Sequence, residues 1–299
     1  MTKNKPNTDP TIDELAVAAF AEQGYLFQQA VLQGIKRYTE QQKAGWYLQD
    51  EEHPVSAGDQ ETVIDFVLGH SQNTSYSYVF ECKRAHPDYV SWLFADSLIY
   101  REDREFRIGT VACNLVREQQ KKDAVRVHTS AIHFRDSQAT PSRSVNIGLE
   151  VQHGRRTGRL SQSRTIFDAC NQVMTGVAGL VSEQVRKLNS SPVDGRWDYV
   201  PVIVTTAGLH LTTYNPSDIS LEDGTIELSK TTTQPVPWVY YDFPTRPSLP
   251  LTPVPLDYQS KETRDLRDLK REFKLKSVII VSGSNLLGLL QSIKPPGSF

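Results

Sequence analysis

The sequence of 299 residues contains no long apolar run, and it opens with the polar segment MTKNKPNTDP. A membrane-spanning helix needs about 20 consecutive apolar residues, and a secretory signal needs a shorter apolar stretch near its start. We therefore expect a cytoplasmic protein with no membrane partner. Cysteine is also scarce: Cys82, Cys113 and Cys170 lie far apart, a spacing that argues against a disulfide framework and against a zinc finger.

Several signatures of catalysis and cofactor binding are absent as well. The seven histidines show neither the HExxH nor the His-x-His spacing of zinc sites. Because there is no Walker loop and no GxGxxG pattern, we expect no nucleotide cofactor. No nucleophile elbow and no Cys/His dyad pattern is visible. The sequence therefore gives no indication of covalent nucleophilic catalysis or of nucleotide-driven work.

A strong net charge is lacking too, since 33 Lys+Arg stand against 35 Asp+Glu and the formal charge is −2. Counted by segment, the charge alternates: −7 for residues 1–100, +6 for 101–166, −5 for 167–260 and +4 for 261–299. Arginines suit phosphate contacts because one guanidinium binds two oxygens. The candidates for nucleic-acid binding at the end of the first positive block are Arg143, Arg155, Arg156, Arg159 and Arg164. The alternative is an ordinary solvated surface.

Hydrophobic periodicity indicates an α/β fold. Apolar positions at helical spacing predict a long helical region over residues 11–39, punctuated by Gly24, and another helix over 165–188. Polar turns predict two hairpins, the first within 62–83 and the second within 199–214. The strands are expected, in chain order, at 46–48, 62–68, 76–83, 199–205, 209–214 and 277–281, with weaker candidates at 108–112 and 145–151.

The remaining segments are less regular. Residues 88–100 are rich in aromatic side chains and predict a helix. Seven prolines between 235 and 255 predict an extended surface segment, because proline is unfavourable inside a helix. Charged and apolar residues predict a helix over 258–274 and a last helix over 285–291.

Three ionisable residues converge on two adjacent apolar strands. Asp65 lies inside the first strand, and Glu81 and Lys83, two residues apart on the next, point to the same face of the sheet. Burial of an unpaired carboxylate is costly, so these side chains should pair or bind a cation. Two carboxylates, the backbone carbonyl of Cys82 and waters make an all-oxygen site that suits Mg²⁺. The alternative is a hairpin with one wet face, on which Glu81 and Lys83 are exposed and paired.

This pattern resembles the PD-(D/E)xK nuclease superfamily, which has the restriction-endonuclease-like fold. The match is Asp65 in VIDFVL and, after fifteen intervening residues, Glu81-Cys82-Lys83 in YVFECKR. The resemblance implies a central mixed β-sheet flanked by helices. It also implies that Asp65 and Glu81 bind Mg²⁺, with Mn²⁺ as a substitute, and that Lys83 assists phosphodiester hydrolysis.

The resemblance implies two further kinds of site residue. The family often adds an acidic residue from the first helix, and either Glu22 or Gln28 occupies that place, the latter in GYLFQ where the family usually has Glu. A neutral Gln28 would lower the negative charge of the site. The family also commonly carries a glutamine on the helix after the motif, and the matching residue is Gln172 in FDACNQVMTGV.

The resemblance divides the chain into two parts. Residues 1–215 would form the nuclease core, interrupted by a basic insertion over 88–163. Residues 216–299 would form a C-terminal extension, a proline-rich segment followed by helix, strand and helix, packed on the core.

The sequence thus predicts a metal-dependent endonuclease that cuts double-stranded DNA, in the setting of restriction or anti-phage defence. The resemblance also implies a second copy or a protein partner as a candidate requirement, since some enzymes of this kind need one to cut both strands. Two alternatives stay open: a nuclease acting on RNA or repair intermediates, and an inactive nucleic-acid-binding or assembly module with the same fold.

Overall fold

In the computed structural model, the described residues are 11–22, 24–42, 45–57, 59–71, 73–86, 90–95, 109–115, 126–131, 145, 147–151, 164–190, 195–244 and 275–293. The fold is α/β. A mixed eight-stranded sheet is flanked by helices, and a second, four-stranded sheet shares one of its buried layers. No helix in this part of the chain is long and apolar enough to cross a membrane.

The α-helices of the described residues are α1 (Ile12–Glu22), α2 (Tyr25–Gln42), α3 (Arg164–Ser190) and α4 (Leu286–Ser292). Gly24 separates α1 from α2 with a φ of +74°, a left-handed conformation that glycine adopts without steric cost. The predicted break at Gly24 is therefore confirmed.

The strands fall into two sheets. The larger has the order β1-β2-β3-β8-β12-β11, with β5 on β8 and β6 on β5, and the smaller has the order β10-β9-β4-β7. Their bounds are β1 (Trp46–Ala57), β2 (Gln60–His70), β3 (Asn73–Lys83), β4 (Ser91–Ala95), β5 (Gly109–Leu115), β6 (Arg126–Ala131), β7 (Ile147–Val151), β8 (Gly195–Thr205), β9 (Gly208–Tyr214), β10 (Thr231–Pro235), β11 (Trp238–Pro244) and β12 (Leu275–Ser282).

The centre of the larger sheet is parallel. Strands β1, β2 and β3 pair antiparallel, whereas β3 pairs parallel with β8, and β8 parallel with β12. The carboxyl ends of the three parallel strands are in register, because Thr205 is the partner of both Lys83 and Ser282. Their ends therefore form one edge, the place where α/β proteins commonly bind ligands.

Successive residues of the central strands alternate between two buried layers. The layer beneath α3 contains Val79 and Ile203, and the second sheet also packs into it. The layer beneath α2 and α4 contains Phe80 and Val202. This alternation is the period of two expected for strands that are covered on both faces.

Helix α3 lies unusually close to the first two strands. A Cβ atom on Gly176 would stand 2.8 Å from Cγ1 of Ile64, and one on Gly179 would stand 2.5 Å from Cβ of Val55. Real Cβ atoms essentially never approach so closely. The two glycines therefore allow the helix to pack against β1 and β2, and this packing sets the height of α3 over the sheet.

Most of the elements expected from hydrophobic pattern are present. The hairpin within 62–83 is confirmed by the antiparallel pairing of β2 and β3, and α3, β12 and α4 lie where periodicity places them. At the weaker candidates, β5 begins at Gly109 and β7 occupies Ile147–Val151. The helix expected over 258–274 lies outside the described residues.

The helix expected over 88–100 is wrong, because strand β4 occupies residues 91–95. Trp92 and Phe94 are fully buried, and β4 pairs with β7 and β9. A short aromatic run fits a pleated, covered strand well, and its two partners come from distant parts of the sequence.

The second expected hairpin is also wrong. Strand β9 pairs with β4 and β10, not with β8. At the end of β8, the backbone N–H of Ala207 donates to Oγ1 of Thr205 at 3.1 Å, and the chain passes into the second sheet. The proline-rich segment is extended as predicted where it is described, but it is not all surface, since Val239 and Tyr240 of β11 are buried.

Candidate active site

The strands β2 and β3 part at Asp65. Their ladder runs from the Gly69–Ser77 pair to the Phe66–Phe80 pair. Beyond it, the backbone N–H of Cys82 donates to Oδ2 of Asp65 at 2.6 Å instead of to a carbonyl. The strand is irregular here, since Ile64 and Phe66, two residues apart, pack into different layers. The carboxylate of Asp65 thus takes the position that a backbone carbonyl would occupy in a regular ladder.

Glu81 and Lys83 form an ion pair beside this irregularity. The Nζ atom of Lys83 lies 2.7 Å from Oε1 of Glu81, and it also donates to Oε1 of Gln172 on α3 at 2.9 Å. The side chain of Glu81 is only 3% exposed, whereas that of Lys83 is 26% exposed. We call Asp65, Glu81 and Lys83 the charged notch.

Lys83 keeps a donor for a further partner. A lysine ammonium has three N–H groups. Among the described residues, two of them are taken, by Glu81 and Gln172. The third can donate to an oxygen that enters from solvent, and the hydrogen bonds that Lys83 donates to Glu81 and Gln172 restrict where it points.

The electrostatics of the charged notch disfavour two negative charges. The pKa of Glu81 is raised to about 8, mainly by burial and also by the neighbouring charge of Asp65, while Lys83 opposes the rise. Burial also raises the pKa of Asp65, against the hydrogen bond from Cys82 and the charge of Lys83. A bound cation would lower both pKa values, because it favours the ionised carboxylates.

Cys82 contacts Asp65 through both its backbone N–H and its thiol. Its side chain packs against the layer beneath α2, on the other side of the sheet from the Glu81–Lys83 pair. Burial raises the pKa of its thiol well above the ordinary value, so the thiolate is disfavoured. This environment is that of an inert thiol, and the backbone carbonyl of Cys82 stays the predicted metal ligand.

The residues expected from the first helical region are placed differently. Glu22 is the last residue of α1, and its side chain lies outside the described part of the structure. Gln28 lies half-buried in the first turn of α2. Among the described residues, no hydrogen bond joins Gln28 to the charged notch. The turn before α2 is nevertheless close to it, since a Cβ on Gly24 would lie 3.8 Å from Cβ of Arg84.

Most of the candidate arginines of the basic block lie outside the described residues, namely Arg143, Arg155, Arg156 and Arg159. Arg164 begins α3, but its side chain is not among those described.

Sequence reasoning missed Glu52. It lies in β1 between Glu51 and His53, whose register partners Phe66 and Ile64 flank Asp65. Its φ of +51° is left-handed, which is uncommon for a residue other than glycine, and its negative charge raises the pKa of Asp65. The only signal in the sequence was the acidic run Asp50-Glu51-Glu52, which follows the strand predicted at 46–48.

The donor set of the charged notch is small. In the described part of the chain, no group of three or more His, Cys, Asp or Glu side chains is arranged to hold a metal ion. Two carboxylates and one carbonyl would therefore need water or substrate oxygens to complete the shell of a hard cation. Comparison with family models, curated proteins and solved structures finds no match to this chain.

Proposed function

We propose that this protein is a metal-dependent nuclease with a restriction-endonuclease-like core, which hydrolyses phosphodiester bonds in double-stranded DNA. The observation that carries the proposal is the meeting of Asp65, Glu81 and Lys83 where β2 and β3 part. A metal-assisted hydrolysis needs few protein groups, because it requires no covalent intermediate with the protein.

The donor chemistry fits Mg²⁺, with Mn²⁺ as a substitute. Asp65 and Glu81 would hold the cation with carboxylate oxygens, together with the carbonyl of Cys82. When bound, a divalent cation polarises a phosphate and lowers the pKa of water. The raised pKa values of Asp65 and Glu81 support this assignment, because a bound cation would stabilise the ionised carboxylates that burial disfavours.

The roles of the other residues follow from their contacts. Lys83 would direct its remaining N–H to the attacking water or to a phosphate oxygen, where it stabilises the negative charge that builds up. Gln172 accepts from Lys83 and would hold the ammonium in that direction. Gln28 or Glu22 would approach from the first helical region, and the basic block with Arg143, Arg155, Arg156, Arg159 and Arg164 would contact phosphates.

The biological setting we propose is restriction or anti-phage defence in the cytoplasm. A single charged notch cuts one strand at a time. Cleavage of both strands of a duplex would therefore require a second copy of the chain, a protein partner or a second binding event.

A titration of Mg²⁺ in plasmid cleavage tests the proposal, with wild type and Asp65→Asn side by side. We expect nicking and linearisation that rise with Mg²⁺ in wild type and are lost in Asp65→Asn, with circular dichroism unchanged. Linear duplex, single-stranded DNA and RNA offered to the same preparation define the substrate class. If Asp65→Asn cuts like wild type, the charged notch is not the active site.

One observation favours a second candidate, a nucleic-acid-binding or assembly module without chemistry. The ammonium of Lys83 lies 2.7 Å from Glu81, so a positive charge already stands beside one of the two carboxyl groups that a cation would bind. This candidate predicts binding that weakens steeply with salt, no cleavage under Mg²⁺ or Mn²⁺, and no thermal shift with either ion. A metal-dependent thermal shift that is lost in Asp65→Asn would eliminate it.

A further inference from the structure

A cleft of about 450 Å³ opens beside the carboxyl ends of β8 and β12. Phe27, Thr206, Leu209, His210, Ser284 and Asn285 are among its lining residues, and we call it the neutral cleft. Thr205, which also lines it, is the register partner of Lys83. Because neighbouring strands lie about 4.8 Å apart, the neutral cleft begins one strand away from the charged notch.

The lining is more apolar than polar. Among the described residues around the neutral cleft, none is an aspartate, glutamate, lysine or arginine. Apolar surface comes from Phe27 and Leu209, and hydrogen-bonding groups come from His210, Ser284 and Asn285. A phosphate would lack a cation here, whereas a neutral heteroaromatic ring fits apolar walls with a few polar groups.

The walls of the neutral cleft are held in place by their own contacts. The ring of Phe27 lies so close to Gly283 that a Cβ there would stand 3.0 Å from it. Asn285 donates its side-chain amide to Oγ of Ser282 at 2.7 Å. On the side towards the charged notch, Oγ1 of Thr206 accepts from the backbone N–H of Ala85 at 2.8 Å. That bond ties the cleft to the chain just after Lys83.

We propose that the neutral cleft binds a nucleobase of the substrate, taken from a nucleotide that is unstacked beside the scissile phosphate. This inference rests on the proposed function, because it places the phosphate at Lys83 and the attached base in the cleft. Phe27 offers an aromatic face for stacking, and His210 and Asn285 offer hydrogen bonds to the edge of the base. Enzymes that act on unstacked nucleotides use this combination of surfaces.

Equilibrium binding without divalent metal tests the inference separately from cleavage. The probes are two single-stranded oligonucleotides of equal length and charge, one of thymidine and one of abasic tetrahydrofuran units. We expect wild type to bind the thymidine oligonucleotide about tenfold more tightly, the size of one stacking contact. Ser284→Trp should abolish this difference, because Ser284 is exposed at the cleft and a tryptophan would fill it.

Ser229→Trp is the matched control, since Ser229 is also exposed and does not line the cleft. It should keep the tenfold difference. His210→Ala provides a second variant should Ser284→Trp fail to fold, and it should reduce the difference.

The outcomes separate the two proposals. Equal binding of both oligonucleotides by wild type, or a difference that survives both cleft variants, overturns the nucleobase site even where Mg²⁺-dependent cleavage is observed. A tenfold difference that Ser284→Trp removes supports the site even where no substrate is cut, in which case the proposed function is the part that fails.

Discussion

The charged notch and the neutral cleft lie on the same edge of the larger sheet, yet they are built in opposite ways. At the notch, β2 and β3 part after the Phe66–Phe80 pair and a carboxylate takes over a backbone hydrogen bond. At the cleft, β8 and β12 stay in register to their last residues, Thr205 and Ser282. The parted β2–β3 pair thus carries ionisable groups, whereas the β8–β12 pair ends in hydroxyls.

The difference has a physical origin. A parted pair of strands leaves a backbone N–H without its ladder partner, and an anionic oxygen is a strong acceptor for it. Strands β8 and β12 satisfy each other's backbone to their last residues, and these residues, Thr205 and Ser282, carry neutral side chains. We therefore expect the charged notch alone to carry the chemistry and the charge.

The largest effect is expected for Lys83→Met. Loss of the ammonium should lower Mg²⁺-dependent cleavage by about 10²- to 10⁴-fold, the usual contribution of a catalytic group that moves protons or stabilises charge. Initial rates of plasmid nicking measure it. The matched control is Lys36→Met: Lys36 is also paired with a glutamate, Glu51, at 3.1 Å, but both are exposed, so the rate should stay near wild type. Equal rates in the two variants would contradict the assignment of Lys83.

A pH dependence of stability should originate in the notch. The folded pKa of Glu81 is raised from 4.5 to about 8, so the folded protein keeps a proton that the unfolded chain has released. This contribution to stability is fully present below about pH 4.5 and is lost as pH rises through about 8.

Urea unfolding in metal-free buffer at several pH values checks this expectation. Wild type should become less stable across the interval, and Glu81→Gln should show a flatter dependence because its amide does not titrate. The same slope in both proteins would mean that Glu81 is ionised in the folded state.

A smaller effect is expected from the helix that covers the notch. Gly179→Ala should destabilise the protein by about 1–3 kcal/mol, because the new methyl group would overlap Val55. It should also lower activity by shifting Gln172 relative to Lys83.

Gly34→Ala in α2 is the control. A Cβ at Gly34 meets nothing within 4 Å, so this substitution should stabilise the protein by about 1 kcal/mol. Urea unfolding measures both, and a stabilised Gly179→Ala would show that α3 does not fix the notch.

The sequence allowed the local elements of the notch to be predicted, because they depend on short-range periodicity. The period of two places Glu81 and Lys83 on one face, and the ion pair between them agrees with this. Runs of β-branched and aromatic residues likewise mark β2 and β3, and helical spacing marks α3.

Features set by distant partners were not predictable in the same way. The pairing of β9 depends on β4, which lies far away in sequence, and a turn-like Ala207-Gly208 pair favours a hairpin when only neighbours are considered. Glu52 was missed because its relevance comes from a left-handed backbone and from the nearby charge of Asp65. Neither property is visible in a run of acidic residues.

Strand β8 has a consequence for how the chain folds. One of its edges pairs with β3, while the other is shared, with β5 beside its first half and β12 beside its second. All three partners are remote in sequence, so pairing them with β8 closes long loops. The conformational entropy lost in closing these loops opposes the pairing and slows folding. Once formed, its central amides are enclosed on both sides, and we expect those of Val202 and Val204 to exchange with solvent hydrogen only on global unfolding.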